Sequence, residues 1–190
     1  MSKYREFVAT ADIPVNGALT NENVETHDNR ARVREIVGKL CRLIRDSGVP
    51  LQDKLDLELS HHYGLEHFYE TGCAIITCVN REYCKKLILL LPGQWNPTHT
   101  HHRKEETFHV LYGEVTLILN GVPKHLQVGE LAMVERNVPH SFGSETGCVI
   151  EEVSTQHYRN DSIYDDPNIA PAEQRKTFMT FYSDWITKGV

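Results

Sequence analysis

Gly93-Gln-Trp-Asn-Pro-Thr-His99-Thr-His101-His102-Arg103-Lys104-Glu105-Glu106-Thr107-Phe108-His109-Val110-Leu111-Tyr112-Gly113 is the stretch whose reading decides this chain. His99 and His101 stand at i and i+2, so on an extended segment both imidazoles leave the same face of a sheet and reach one ion. A carboxylate on the following strand closes such a site, and two adjacent ones are available. An inward Glu106 carries Phe108 and Val110 inward with it, whereas an inward Glu105 would carry Thr107 and His109. The apolar set belongs in an interior, which makes Glu106 the expected ligand.

A second stretch, Gly129-Glu130-Leu-Ala-Met-Val-Glu135-Arg-Asn137-Val-Pro139-His140, completes a pattern. Together the two resemble the cupin superfamily. The first fits G-x5-H-x-H-x4-E-x6-G at every position. The second fits G-x5-P-x-G-x2-H except that Glu135 replaces Pro and Asn137 replaces Gly. Asn tolerates the left-handed conformation a Gly would supply, so the turn presenting His140 survives the change. The resemblance implies a mainly β fold, a single jelly-roll barrel, and adds His140 to His99, His101 and Glu106 as metal ligands. Three imidazoles and a carboxylate leave two positions open on an octahedral ion, which suits a catalytic site. Manganese, iron, cobalt, nickel and zinc all accept such a set. His61, His62, His67, His102 and His109 lack this spacing and are expected to pack or face solvent.

The chain has 190 residues, enough for one sizeable core. We expect an N-terminal arm and helical extension over residues 1–70 packing on a barrel over 71–190. A net charge of −6 lacks the basic footprint that nucleic acid requires. No stretch has the length and apolarity of a membrane span, so a cytoplasmic protein handling a small molecule is expected. The five cysteines are odd in number and form no C-x-x-C pair, arguing against a disulfide framework or a thiolate zinc site. Cys41, Cys73, Cys78 and Cys148 have apolar neighbours and read as small core residues.

Pro14 and Gly17 interrupt residues 1–25, an irregular arm. From Asp28 to Asp46, Val33, Ile36, Val37, Leu40, Cys41 and Ile44 form the stripe of an amphipathic helix ended by Ser47-Gly48. Either the outside of the barrel or a second subunit must cover that stripe, and a homodimer is expected. Leu55–Leu59 alternates as a strand, and residues 64–71 read as either helix or loop. The runs 73–79 and 86–91 are those of buried strands. Residues 114–119 alternate up to Asn120-Gly121, the residue pair best suited to a two-residue hairpin. Residues 131–134 and 148–153 supply further strands. The polar segment from Glu151 to Pro167 reads as a solvated cover or a lid over a sugar, and residues 176–185 return to the barrel.

Two narrower resemblances bear on activity. His99-x-His101-x-x-Lys104-x-Glu106, with Glu152-Val-Ser and Asn160-Asp161, is similar to the D-lyxose isomerase family of cupins. The same run resembles the cupin modules found with sialic-acid-type synthases. The first implies a carbohydrate substrate, ketol isomerisation through an enediolate, a divalent metal with manganese favoured, Glu152 as general base and Lys104 beside the developing oxyanion. Strand alternation counted from His101 turns Lys104 outward instead. Thr107 stands where the isomerases tend to have Asp. Gln94, Asn96, Thr98, Lys104 and Tyr158 offer hydrogen bonds of the kind a sugar uses. A non-catalytic carbohydrate-binding module and a non-haem iron dioxygenase are the competing readings.

Overall fold

A computed structural model describes residues 27–190; the expected N-terminal arm lies outside the described residues. The amphipathic stripe forms α1 (His27–Ser47), which ends where Gly48 takes a φ of 66°. Then come β1 (Lys54–His61), a 3-10 turn (Leu65–His67), α2 (Phe68–Thr71), β2 (Gly72–Asn80), β3 (Tyr83–Leu90), β4 (Gln94–Thr100) and β5 (Glu106–Leu119). β6 (Val122–Gln127), β7 (Leu131–Val134), β8 (His140–Ser144), β9 (Cys148–Thr155), β10 (Ile163–Tyr164), β11 (Lys176–Tyr182) and α3 (Trp185–Lys188) complete the chain. No described helix is long and apolar enough to cross a membrane.

All strand pairing is antiparallel and divides into two sheets. One runs β11-β1-β2-β3-β9-β5-β7. The other runs β10-β4-β8-β5-β6. β5 belongs to both. Residues 106–113 pair in the first and 114–119 in the second, so the expected strand at 114–119 is the far half of one 14-residue strand. Gly113, at φ 75°, lets that strand bend without ending, and a Cβ there would collide with the Gly147 carbonyl oxygen. The hairpin after β5 turns on Asn120 (φ 49°) and Gly121 (φ 78°), both left-handed as a two-residue turn requires. Asn137 has φ 64°, so it supplies the conformation for which it was expected to substitute.

The molecule has three layers and two cores. Between the sheets lie Ile88, Leu90, Phe108, Val110, Leu117, Phe142 and Ile150. Behind the first sheet, Val33, Ile36, Val37, Leu40 and Ile44 of α1 pack on Leu55, Leu57, Leu59, Ala74, Ile76, Leu87 and Leu89. The stripe of α1 is therefore covered by the chain's own barrel, and it supplies no reason for a second subunit. Alternation on β1 sends its leucines to the helix and Glu58 and Ser60 to the space between the sheets. The ambiguous segment at 64–71 is helical. Cys41, Cys73, Cys84 and Cys148 are buried; Cys78, expected in the core, is only half-buried, and Cys84 takes that place.

Gly113→Ala should lose on the order of 3 kcal/mol of unfolding free energy, combining left-handed strain with the collision. Gly121→Ala, with open space around its Cβ position, should lose about 1 kcal/mol. Urea unfolding of the two variants checks the difference, and equal midpoints would show that the bend tolerates a side chain.

Candidate functional site

His99 comes from β4, His101 from just past its end, Glu106 opens β5 and His140 opens β8. One potential ligand atom from each of these four buried residues lies within 4.8 Å of the other three. Glu106, Phe108 and Val110 are buried while Thr107 and His109 are half-buried, the inward set that alternation required.

Each imidazole is aimed by its other nitrogen. His99 Nδ1 donates to the Pro97 carbonyl oxygen at 2.9 Å, His101 Nδ1 to that of Asp161 at 2.7 Å, and His140 Nδ1 to that of Val138 at 2.9 Å. A carbonyl only accepts, so Nδ1 carries a proton and Nε2 is the nitrogen left to face the cluster. His101 Nε2 and His140 Nε2 are buried without a hydrogen-bond partner, 3.5 and 3.0 Å from Glu106 Oε1. Burial, with His140 and His101 alongside, holds the His99 imidazole well below its usual pKa and therefore neutral. Burial would raise the Glu106 carboxyl, but Lys104, His101 and His140 outweigh it and keep the carboxyl well below the usual range. Imidazole nitrogens without hydrogen-bond partners, gathered around an ionised carboxylate, fit a divalent cation.

Lys104 is buried, contrary to strand alternation. Residues 101–105 lie between β4 and β5 as a loop, where a period of two has no hold. The Asp161 carboxylate shapes that loop by accepting the backbone N–H groups of His102, Arg103 and Lys104 at 2.8–3.2 Å. The result turns the Lys104 ammonium inward, onto Glu106 and 3.0 Å from Glu152 Oε1. Burial disfavours that charge, but Glu106 and Glu152 more than offset it and hold the Lys104 pKa above its usual value. Glu152, on β9, also accepts from Ser154 Oγ at 3.0 Å, and Lys86 Nζ stands 3.7 Å away.

Glu152, Lys104, His99, His101 and Glu106 line one cavity, about 480 Å³ of space between atoms with the solvent at its mouth included. Asn96 lines it as expected. Gln94, Thr98 and Tyr158 do not: Gln94 is bonded to the backbone of Leu91 and Phe68, the Thr98 carbonyl receives the Asp165 N–H, and Tyr158 lies under Arg103. His102 faces outward and holds Asn137 Oδ1 at 2.7 Å, so it is no part of the cluster.

Sequence reasoning missed Glu58, Lys86, Tyr164, Arg175 and Lys176, which also line the cavity. Tyr164 stacks on His99 at 5.1 Å and takes its hydroxyl to His62 Nε2 at 2.8 Å. Its strand β10 pairs with β4, so the segment after Glu151 covers the cavity and also lines it. The only available signal was the polar inward face of β1, β3 and β11, and reading it required knowing that α1 covers their other side.

Asp161→Ala should strand three amides and cost about 2–3 kcal/mol. Hydrogen exchange over residues 102–104 should accelerate, less so in Asp161→Asn, which keeps one accepting oxygen. Unchanged exchange in the Ala variant would remove Asp161 as the organiser of the loop.

Residues 86–150 match the family model described as a cupin domain. The D-lyxose/D-mannose isomerase of Thermosediminibacter oceani is 28% identical, over 74% of this chain and 94% of that protein. The D-lyxose ketol-isomerase of a Thermofilum species is also 28% identical, over 80% and 96%. Among solved structures, the L-ribose isomerase of Geodermatophilus obscurus superposes with a TM-score of 0.62 at 16% identity, over 77% of this chain and 96% of that one, a likeness of fold. The chain carries a cupin domain, and with its strands before and after that domain it folds as a cupin jelly roll.

Proposed function

We propose that this chain is a metal-dependent aldose–ketose isomerase. The observation that carries the reading is that His99, His101 and Glu106 of the four-residue group line one cavity together with the Glu152–Lys104 pair. The two curated relatives are named as sugar isomerases, which agrees with it. His99, His101, Glu106 and His140 would hold one divalent ion, manganese in preference to iron, cobalt, nickel or zinc. When bound, the ion supplies Lewis-acid polarisation of the two oxygens that exchange roles in a ketol isomerisation.

The rest falls to the chain's own side chains. Glu152 takes the proton from the carbon beside the carbonyl and returns it to the neighbouring carbon. Ser154, Lys104 and Lys86 all approach its Oε1, so they keep the carboxylate oriented while Oε2 carries none of those contacts. Lys104 keeps a cation beside the oxygen on which charge develops. Tyr164, which lines the cavity from β10, limits the water that reaches it.

The reading extends to a cytoplasmic homodimer. Five free cysteines agree with a reducing compartment. Met133 and Val153, 60% and 46% exposed, both pair with Thr107 and make an apolar row with Leu131 on the outer face of the first sheet. Light scattering at micromolar concentration should give the mass of two chains, and a monomer mass would remove that part.

His99→Ala, His101→Ala and His140→Ala should each lose the ion on elemental analysis, whereas His102→Ala should keep it. During turnover, solvent deuterium should enter the substrate carbon next to the carbonyl. Glu152→Gln should hold the metal and lose at least ~10²-fold of that exchange. Full exchange in the Gln variant would pass the base to another group. Isomerisation without exchange would point to a hydride shift. Metal binding with no turnover on any pentose or hexose would favour a binding module, and oxygen consumption would favour an iron dioxygenase.

A further inference from the structure

The cavity holds more positive charge than its own carboxylates offset. Lys86, Lys104, Arg175 and Lys176 line it against Glu58, Glu106 and Glu152. Lys104 meets Glu106 and Glu152, Lys176 lies 2.8 Å from Glu58, and Lys86 stands 3.7 Å from a Glu152 oxygen that Lys104 already holds. Arg175 is left over. Its side chain makes one hydrogen bond, Nη1 to Ser60 Oγ at 3.0 Å, and lies 4.6 Å over the Tyr164 ring; it forms no ion pair with a carboxylate among the described residues. A guanidinium carries five donors, and Arg175 and Lys86 are each only 4% exposed. Burying such a charge without a counter-ion is costly enough that an anion normally accompanies it. A divalent ion on the ligand group would deepen the imbalance, and a neutral sugar would do nothing to relieve it.

Position adds the second half of the argument. Arg175 stands just before β11 beside Ser60 of β1, at the opposite edge of the first sheet from Glu106 of β5. The Tyr164 ring contacts both groups, with its centroid 5.1 Å from that of His99 and 4.6 Å from the Arg175 guanidinium carbon. A molecule reaching from the histidines to Arg175 must therefore present an anion at its far end.

Resting on the isomerase reading above, we propose that the site selects carbohydrates bearing an anionic group, a phosphate or a carboxylate, on the end of the carbon chain remote from the reacting carbonyl. Arg175 receives that group as a two-donor fork, and Lys86 supports it as a point charge.

The test is calorimetric binding to the manganese-loaded protein of a neutral pentitol, the matching pentitol phosphate and the matching aldonate. At least one of the two anions should bind roughly tenfold or more tightly than the neutral pentitol, as expected for charge-assisted hydrogen bonds. The tighter anion identifies the group, and added salt should narrow the gap. Arg175→Gln should erase the preference while keeping manganese content and neutral-pentitol affinity. Its melting temperature should be no lower than that of the parent, because the amide keeps the bond to Ser60 and removes the uncompensated charge. Arg175→Lys should retain part of the preference. If Arg175→Gln does not fold, Lys86→Gln reports the same loss more weakly. Equal binding of neutral and anionic ligands, or a preference that persists in Arg175→Gln, overturns the proposal, while deuterium exchange on neutral sugars would leave the isomerase reading standing. Selective, Arg175-dependent binding of the anion without exchange on any sugar would uphold the anionic site and remove the isomerase instead.

Discussion

The packing of α1 on the outer face of the first sheet is the constraint on which the rest depends. A sheet needs one face buried in apolar contact, and across β1, β2 and β3 one such face looks away from the barrel interior. Leu55, Leu57 and Leu59 on β1, Ala74 and Ile76 on β2, and Leu87 and Leu89 on β3 meet Val33, Ile36, Val37, Leu40 and Ile44. Each fully buried large aliphatic side chain contributes about 1.5–3 kcal/mol. With stability drawn from that layer, the inner faces of β1, β3, β9 and β11 can hold polar residues beside core residues such as Ile88, Leu90 and Ile150. Glu58 and Ser60 on β1, Lys86 on β3, Glu152 on β9 and Lys176 on β11 stand at positions that would otherwise call for apolar residues.

Charges placed there are held by one another. The two oxygens of Glu106 are divided, with Oε1 toward His101 and His140 and Oε2 on Lys104. Lys104 in turn ties Glu106 to Glu152, so the four-residue cluster and the proposed base share a cation. Removing one member of such a buried set leaves another uncompensated, which makes the set behave as a unit. Asp161 belongs to it without touching the cavity. Its carboxylate organises the backbone of His102–Lys104 and its carbonyl orients His101, so one residue sets both His101 and the shared lysine.

The two halves of β5 show how a single backbone position governs architecture. Before Gly113 the strand pairs with β9 and β7, and after it with β8 and β6. The bend closes the two sheets over each other and brings His140 of β8 opposite His99 of β4. Left-handed φ and the nearby Gly147 carbonyl leave no room for a side chain at the bend.

Local rules were enough for several features of this chain. Alternation turned Glu106 inward with Phe108 and Val110 on β5, and the i, i+2 spacing of His99 and His101 held one residue past the end of β4. The helical stripe, the Asn120-Gly121 turn and the left-handed Asn137 follow equally from local sterics. Local rules failed where contacts between distant segments decide the outcome. Lys104 lies in a loop whose course is set by Asp161, 57 residues later, and no periodicity reaches across that distance. The alternation of β1 was legible, but which face looks inward was not, because α1 competes with the barrel interior for the same leucines. Glu58, Lys86, Arg175 and Lys176 become a site only when β1, β3 and β11 are laid side by side, a pairing that long-range packing determines and single-strand patterns do not contain.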